Sequence, residues 1–208
     1  MTRQIRVGVV MAALALTTTL AACGAGGTDD VVEPSPTTSY GTGPTGATVT
    51  VEPLGELDGA APVELAGVTL LVPDDLEQDP ATAAGSVQQL SLRAPGADRA
   101  AVIVTVTDQD GADDRAVDAS ALVAETQLGA GGEWTDLERA PVRWSGLPHA
   151  VAITGTLTLP GGEQRDALLV TTRDEAGTRL VSISAEAPAG ELHESQAYDV
   201  LRTLAVGG

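Results

Sequence analysis

Between Ala150 and Glu186 the chain carries three alternating segments separated by two turn signatures, and this run limits the fold more than any other feature. Ala150 to Leu159 places Val151, Ile153, Leu157 and Leu159 on one face of an extended segment. Pro160-Gly161-Gly162 follows, then a second extended segment from Asp166 to Arg173, then Asp174-Glu175-Ala176-Gly177, then a third from Thr178 to Glu186. Turns of three or four residues rich in Gly, Pro and Asp join antiparallel neighbours, because a parallel crossover needs a dozen residues or more. An antiparallel meander is therefore written into the second half of the chain.

The first half adds strands and one helix. Gly67 to Pro73 reads as a strand stopped by proline and the acidic turn Asp74-Asp75, and Val87 to Arg93 and Ala101 to Thr107 as two more. Asp108-Gln109-Asp110-Gly111 turns the chain toward a helix over Val117 to Leu128, capped by Asp118 or an earlier aspartate and closed by Gly129. Trp134 to Trp144 is extended and interrupted at Pro141, which predicts an edge or bulged strand. The spacing of Ala197, Val200, Leu201 and Leu204 predicts a helix over Glu191 to Val206. The expectation is an α+β domain over residues 62–208, a central antiparallel sheet with packed helices in an αβα sandwich. Its core must be made of Leu, Val, Ile and Ala, since the chain has no Phe and only two Trp.

Val68 to Asp75, the helix after a second hairpin, the long meandering strands and the closing Ser184-Ala185-Glu186-Ala187-Pro188 strand end resemble small bacterial lipoproteins of the LpqN type, which have a PsbP-like fold. The similarity spans roughly Pro62 to Val206, with Leu76 where that family usually carries an aromatic residue. The resemblance implies a three-layer sandwich and an extracytoplasmic, mostly non-enzymatic role, and brings no catalytic residues with it.

The N-terminus points the same way on its own residues. Arg3 and Arg6 precede the uncharged run Val7 to Leu20, and Leu20-Ala21-Ala22-Cys23 follows. This is the order of a lipoprotein signal peptide, with cleavage before Cys23 and lipid on its thiol. The apolar run is shorter than the roughly 20 residues a spanning helix needs. Cys23 is the single cysteine, so lipidation also accounts for an exported thiol with nothing to pair with. Two or three acyl chains hold a protein on a bilayer where one does not. The expected organisation is a signal peptide over residues 1–22, a disordered Gly/Thr/Pro-rich tether over 23–61, and the folded domain. The tether assignment rests on Glu33-Pro34-Ser35-Pro36-Thr37-Thr38-Ser39 and its surroundings, too polar to offset their ordering entropy.

Charge narrows the partners. The chain carries 29 acids against 11 arginines and no lysine; without Arg3 and Arg6 the balance becomes −20. Such a surface repels phosphate backbones, so no nucleic acid is expected, and contact with anionic lipid must come through the anchor. The Ala, Gly and Val bias is that of a high-GC Gram-positive bacterium. The expected place is the outer face of the cell membrane, in the cell wall space.

Motifs for chemistry are sparse. Asp108 to Asp114 is the densest acidic cluster, but its glycine is fourth where a calcium loop needs it sixth, and Ala119 stands twelfth, so a solvated turn is expected. His149 and His193 have neither the spacing nor a cysteine for zinc. Ser145 beside His149 suggests a hydrolase pair, but the nucleophile elbow is absent. No cofactor, metal or enzyme activity is expected. Trp134, Trp144 and His149 are the candidate lining of an apolar ligand groove. The leading expectation is a non-catalytic module binding an envelope protein or small apolar molecule; a lipid carrier with an internal cavity is the alternative, and a hydrolase the third.

Overall fold

The computed structural model describes residues 43–207. In chain order the elements are β1 (Val49–Val51), β2 (Ala60–Leu65), β3 (Val68–Pro73), β4 (Glu77–Gln78), β5 (Thr82–Ala84), β6 (Val87–Arg93), β7 (Val102–Asp108), α1 (Asp114–Ala130), β8 (Trp134–Trp144), β9 (Ala150–Thr158), β10 (Gln164–Arg173), β11 (Arg179–Pro188), α2 (Gln196–Arg202) and β12 (Ala205–Val206). The expected meander is present: β9, β10 and β11 pair antiparallel in one continuous register. They form the middle of a nine-stranded sheet ordered β1-β8-β9-β10-β11-β7-β6-β4, with β5 also on β6. A second sheet of three strands runs β12-β3-β2.

The large sheet separates two layers. Alternate residues of its strands, among them Leu90, Leu92, Val104, Val106, Leu168, Val170, Val181 and Ile183, are at most 1% exposed and pack against α2, the small sheet, Trp144 and Tyr198. This is the main core, and it meets the expectation of a Phe-free interior. These side chains pack between the large sheet, α2 and the small sheet. On the other face α1 lies over β8, β9 and β10. The sandwich is thus α1, sheet, and then a mixed layer of α2 with three strands, so the second outer layer is less helical than expected.

Several boundaries differ from the sequence reading for local reasons. The helix α1 begins three residues before Val117 because Asp113, in extended backbone, accepts the Ala116 amide at 2.9 Å. It runs through Gly129 to Ala130. The final segment is not one helix. A 3-10 turn at Leu192–Glu194 precedes Ser195, whose hydroxyl accepts the Tyr198 amide and starts α2 afresh. Thr203 then stops α2: its hydroxyl donates to the Val200 carbonyl and accepts from the Leu71 amide, and β12 leaves to pair with β3.

The folded body also starts earlier than residue 62. The strand β1 pairs parallel with Val142–Trp144 of β8, Val51 is 1% exposed, and the Thr45 and Gly46 amides donate to the Arg139 carbonyl. Val49 and Val51 are too few to fold alone, but they cover the end of β8 and seal the core beside Trp144. The remainder of the expected tether, the signal segment and Cys23 lie outside the described residues. Within β8 a bulge falls between Thr135 and Glu138, where Asp136 takes φ 54°, and Pro141 sits immediately before the part paired with β1.

Candidate functional site

The described residues form a concave site at one end of the main core layer, where β3, β12 and the chain after α2 meet the segment after β1. It is a groove of about 400 Å³, in the size range of small-molecule sites. Leu54, Leu71, Leu204 and Val206 supply apolar walls, and Ser145 and Arg202 supply polar groups. Four interactions fix Arg202. Its Nε donates to the Glu52 carbonyl at 2.8 Å, Nη1 to Asp199 at 3.3 Å, and its own carbonyl accepts the Leu54 amide at 2.9 Å. The guanidinium also lies 5.7 Å from the centre of the Tyr198 ring. Arg202 therefore staples the Glu52–Leu54 segment in place as one wall. Tyr198, 8% exposed, has its phenol pushed above the ordinary tyrosine range by burial, with Arg202 pulling it down and Asp199 pushing it up, so it stays neutral.

A shallower, charged notch of about 450 Å³ lies at the start of α1, beside Arg173, Glu175 and Gly177. The aspartates read from the sequence as a cluster are dispersed here among separate partners: Asp113 caps α1, Asp114 pairs with Arg173 at 2.9 Å, and Asp108 faces Arg179 at 3.7 Å. Their carboxylates are engaged one by one rather than aimed at a common point.

The three residues expected to line a groove are not brought together. Trp144 is 5% exposed in the main core, opposite Val51 of β1. Trp134 is paired with Leu157 at the far end of β8, and cross-strand partners share a face, so it points to the α1 side. His149 also turns to α1, where its Nε2 meets Asp118 at 3.0 Å. Ser145 lines the groove while His149 faces the opposite layer, so the two do not form a nucleophile and base. The groove residues Leu54, Leu71 and Val206 carried no distinctive sequence signal, being ordinary aliphatics in three separate segments. Arg202 had one: a cation in the last turn of a helix.

No family model and no curated protein matches this chain. Solved structures do. The solution structure of cyanobacterial PsbP from Synechocystis is 12% identical, with 73% of this chain and 94% of that chain covered at a TM-score of 0.50. The crystal structure of LpqN, involved in cell envelope biogenesis of Mycobacterium tuberculosis, is 16% identical, covering 75% of this chain and 90% of that chain at 0.40. A structure from Bacteroides thetaiotaomicron is 12% identical at 0.38; 69% of this chain aligns, and it spans only 46% of that longer chain. The fold is PsbP-like.

Proposed function

We propose that this is a lipid-anchored, extracytoplasmic, non-catalytic binding module on the outer face of a Gram-positive cell membrane, and that its groove takes a small apolar molecule. Leu20 to Cys23 behind the uncharged run supplies the anchor. The observation that carries the binding role is the groove itself: four aliphatic walls around one immobilised guanidinium, with no histidine, aspartate or glutamate among its described lining residues. A ligand there is apolar over most of its surface with one group that accepts from Arg202. Hydrolysis is disfavoured because Ser145 and His149 serve opposite layers.

Native mass spectrometry of the full chain recovered in detergent from its own host, followed by denaturing release, tests this reading. The expected result is a bound mass that Leu71→Glu abolishes and Trp134→Ala, on the other face, leaves in place. A clean apo mass in the wild type, or a bound mass indifferent to Leu71→Glu, overturns the groove as the binding site.

A further inference from the structure

The groove is edged by unpaired main chain as well as by aliphatic side chains. It runs along the three-stranded sheet where β12 is the last strand. Antiparallel ladders alternate between residue pairs that exchange both main-chain hydrogen bonds and pairs that exchange none. Gly207 donates to the Gly67 carbonyl at 2.8 Å, and the register continues with Val206 opposite Val68 and Ala205 opposite Thr69. Gly207 and Ala205 therefore turn their amides and carbonyls toward β3. Val206 turns both of its groups the other way, to the free edge.

Among the described residues no main-chain group meets these outward groups. The Val206 amide and carbonyl have no such partner, and neither has the Leu204 carbonyl, although the Leu204 amide donates to the Leu201 carbonyl at 3.1 Å. Leu204 and Val206 both line the groove, and Gly55, Ser145, Gly146 and Ala205 around them are exposed. The free edge thus opens on the groove, and an occupant of the groove covers it.

We infer that the occupant is a short apolar peptide, bound in extended form as an added strand on β12. This rests on the groove being the binding site and names its ligand. A hydrocarbon chain would cover the Val206 amide and carbonyl and the Leu204 carbonyl and return no hydrogen bond, and a buried polar group left unpaired is costly. A peptide answers all three groups. One of its residues exchanges both bonds with Val206, and the residue two further on donates to the Leu204 carbonyl. Its apolar side chains meet Leu54 and Leu71. A free edge of so few residues makes the ligand short. Charge keeps acidic side chains out of it, because Asp199 already pairs with Arg202 and the chain carries −18. The same charge opposes a second copy pairing edge to edge.

The test uses the full chain in lipid nanodiscs and capped pentapeptides of alternating residues: valine with threonine, leucine with serine, and valine with glutamate as the acidic control. Hexanamide, an apolar chain with one amide, stands for a ligand that cannot pair along an edge. Calorimetry reads affinity, and amide-resolved hydrogen exchange reads location. The expected result is that at least one neutral pentapeptide binds, slows exchange at Val206 by about tenfold or more, and outbinds both the acidic peptide and hexanamide. Methylating the peptide nitrogens at odd positions in one version and at even positions in another separates the two sides of the added strand. One version loses about tenfold in affinity and the other less than about threefold. Val206→Pro removes the outward amide of an edge strand and breaks no bond to β3; it weakens the peptide about tenfold and leaves hexanamide unchanged. The methylated peptides keep the test decisive if that variant does not fold. The inference is overturned, with the groove still the binding site, if hexanamide binds there and the neutral pentapeptides do not, or if both methylated versions bind as the parent does. It is also overturned if the wild type is a dimer that Val206→Pro dissociates. If no probe slows exchange at Val206 and none is sensitive to Leu71→Glu, the inference and the groove reading fall together.

Discussion

Asp174 closes the β10–β11 hairpin from inside. It is 1% exposed, and its carboxylate accepts from the Thr178 amide at 2.7 Å, the Thr178 hydroxyl at 2.6 Å and the Arg179 amide at 3.0 Å. Burial pushes its pKa up, but the Thr178 and Arg179 hydrogen bonds and the Arg179 charge outweigh this and hold it below the ordinary 3.8. A depressed folded pKa contributes stability that is complete above about 3.8 and is lost as pH falls through the folded value. Asp174→Ala should therefore cost about 2–4 kcal/mol in urea unfolding at pH 7. The gap between wild type and Asp174→Asn should stay constant from pH 7 to 5 and close below about 3.8; a gap independent of pH would refute the ionised-cap account. Gly155 is a second sensitive position. A Cβ there would stand 2.8 Å from Leu137 Cδ2 and 3.2 Å from the Thr135 carbonyl, at the β8 bulge. Gly155→Ala should destabilise by about 1–3 kcal/mol, measurable as a lower urea midpoint at constant slope. The sequence showed Asp174 as a turn residue, but its inward aim is set by the hairpin register. The bulge defeated the reading of the tryptophans as well. Trp134 and Trp144 are ten residues apart, which a regular strand places on one face; one extra residue between Thr135 and Glu138 sends them to opposite layers.

The helix α1 is held to the sheet by few apolar contacts. Only Val117 and Ala121 are fully buried, against Val151 and Leu180. Polar contacts run along the same surface: Asp114 and Glu125 form ion pairs with Arg173 and Arg139, each at 2.9 Å, and Asp118 is hydrogen-bonded to His149. Arg139 is 6% exposed, so removing Glu125 takes an ion-pair partner from a buried cation. Glu125→Ala should cost about 1–3 kcal/mol, more than its own exposed helix position accounts for. A double-mutant cycle with Arg139→Met measures the pair; a coupling below about 0.5 kcal/mol would show that α1 is held by packing alone. The sequence announced this helix through an aspartate cap before it, but ended it at Gly129, which lies inside its last turn. The last helix was misread for the opposite reason. Ala197, Val200, Leu201 and Leu204 do share the core, but Leu204 reaches it from beyond the helix end, after Thr203 has broken the period. The strand β1 fell inside the expected tether, since its pairing with β8 is parallel and spans almost a hundred residues of sequence.

At the scale of the molecule the governing quantity is charge. A net −18 on 208 residues repels itself, and the ion pairs engage arginines while leaving acids in excess. Raising sodium chloride from 20 to 300 mM, which cuts the screening length from roughly 20 Å to about 6 Å, should therefore raise the thermal midpoint. A falling midpoint would mean that the ion pairs around α1 outweigh the self-repulsion. The meander, the α+β class and the Phe-free core could be read from the chain because they rest on local alternation and composition. The groove could not, because Leu54, Leu71 and Val206 come from three separate segments that only the folded chain brings to one place. The proposed role depends first on the protein being held at the membrane through Cys23. The most direct measurement is the intact mass and cell fractionation of the wild type and Cys23→Ala, expressed in their own host. The account predicts a wild-type chain that begins at Cys23, carries the mass of a diacylglyceryl group and sediments with membranes, while Cys23→Ala carries no lipid and leaves that fraction. A wild type cleaved elsewhere, or free of lipid, or a Cys23→Ala chain that remains with the membrane as the wild type does, would contradict it.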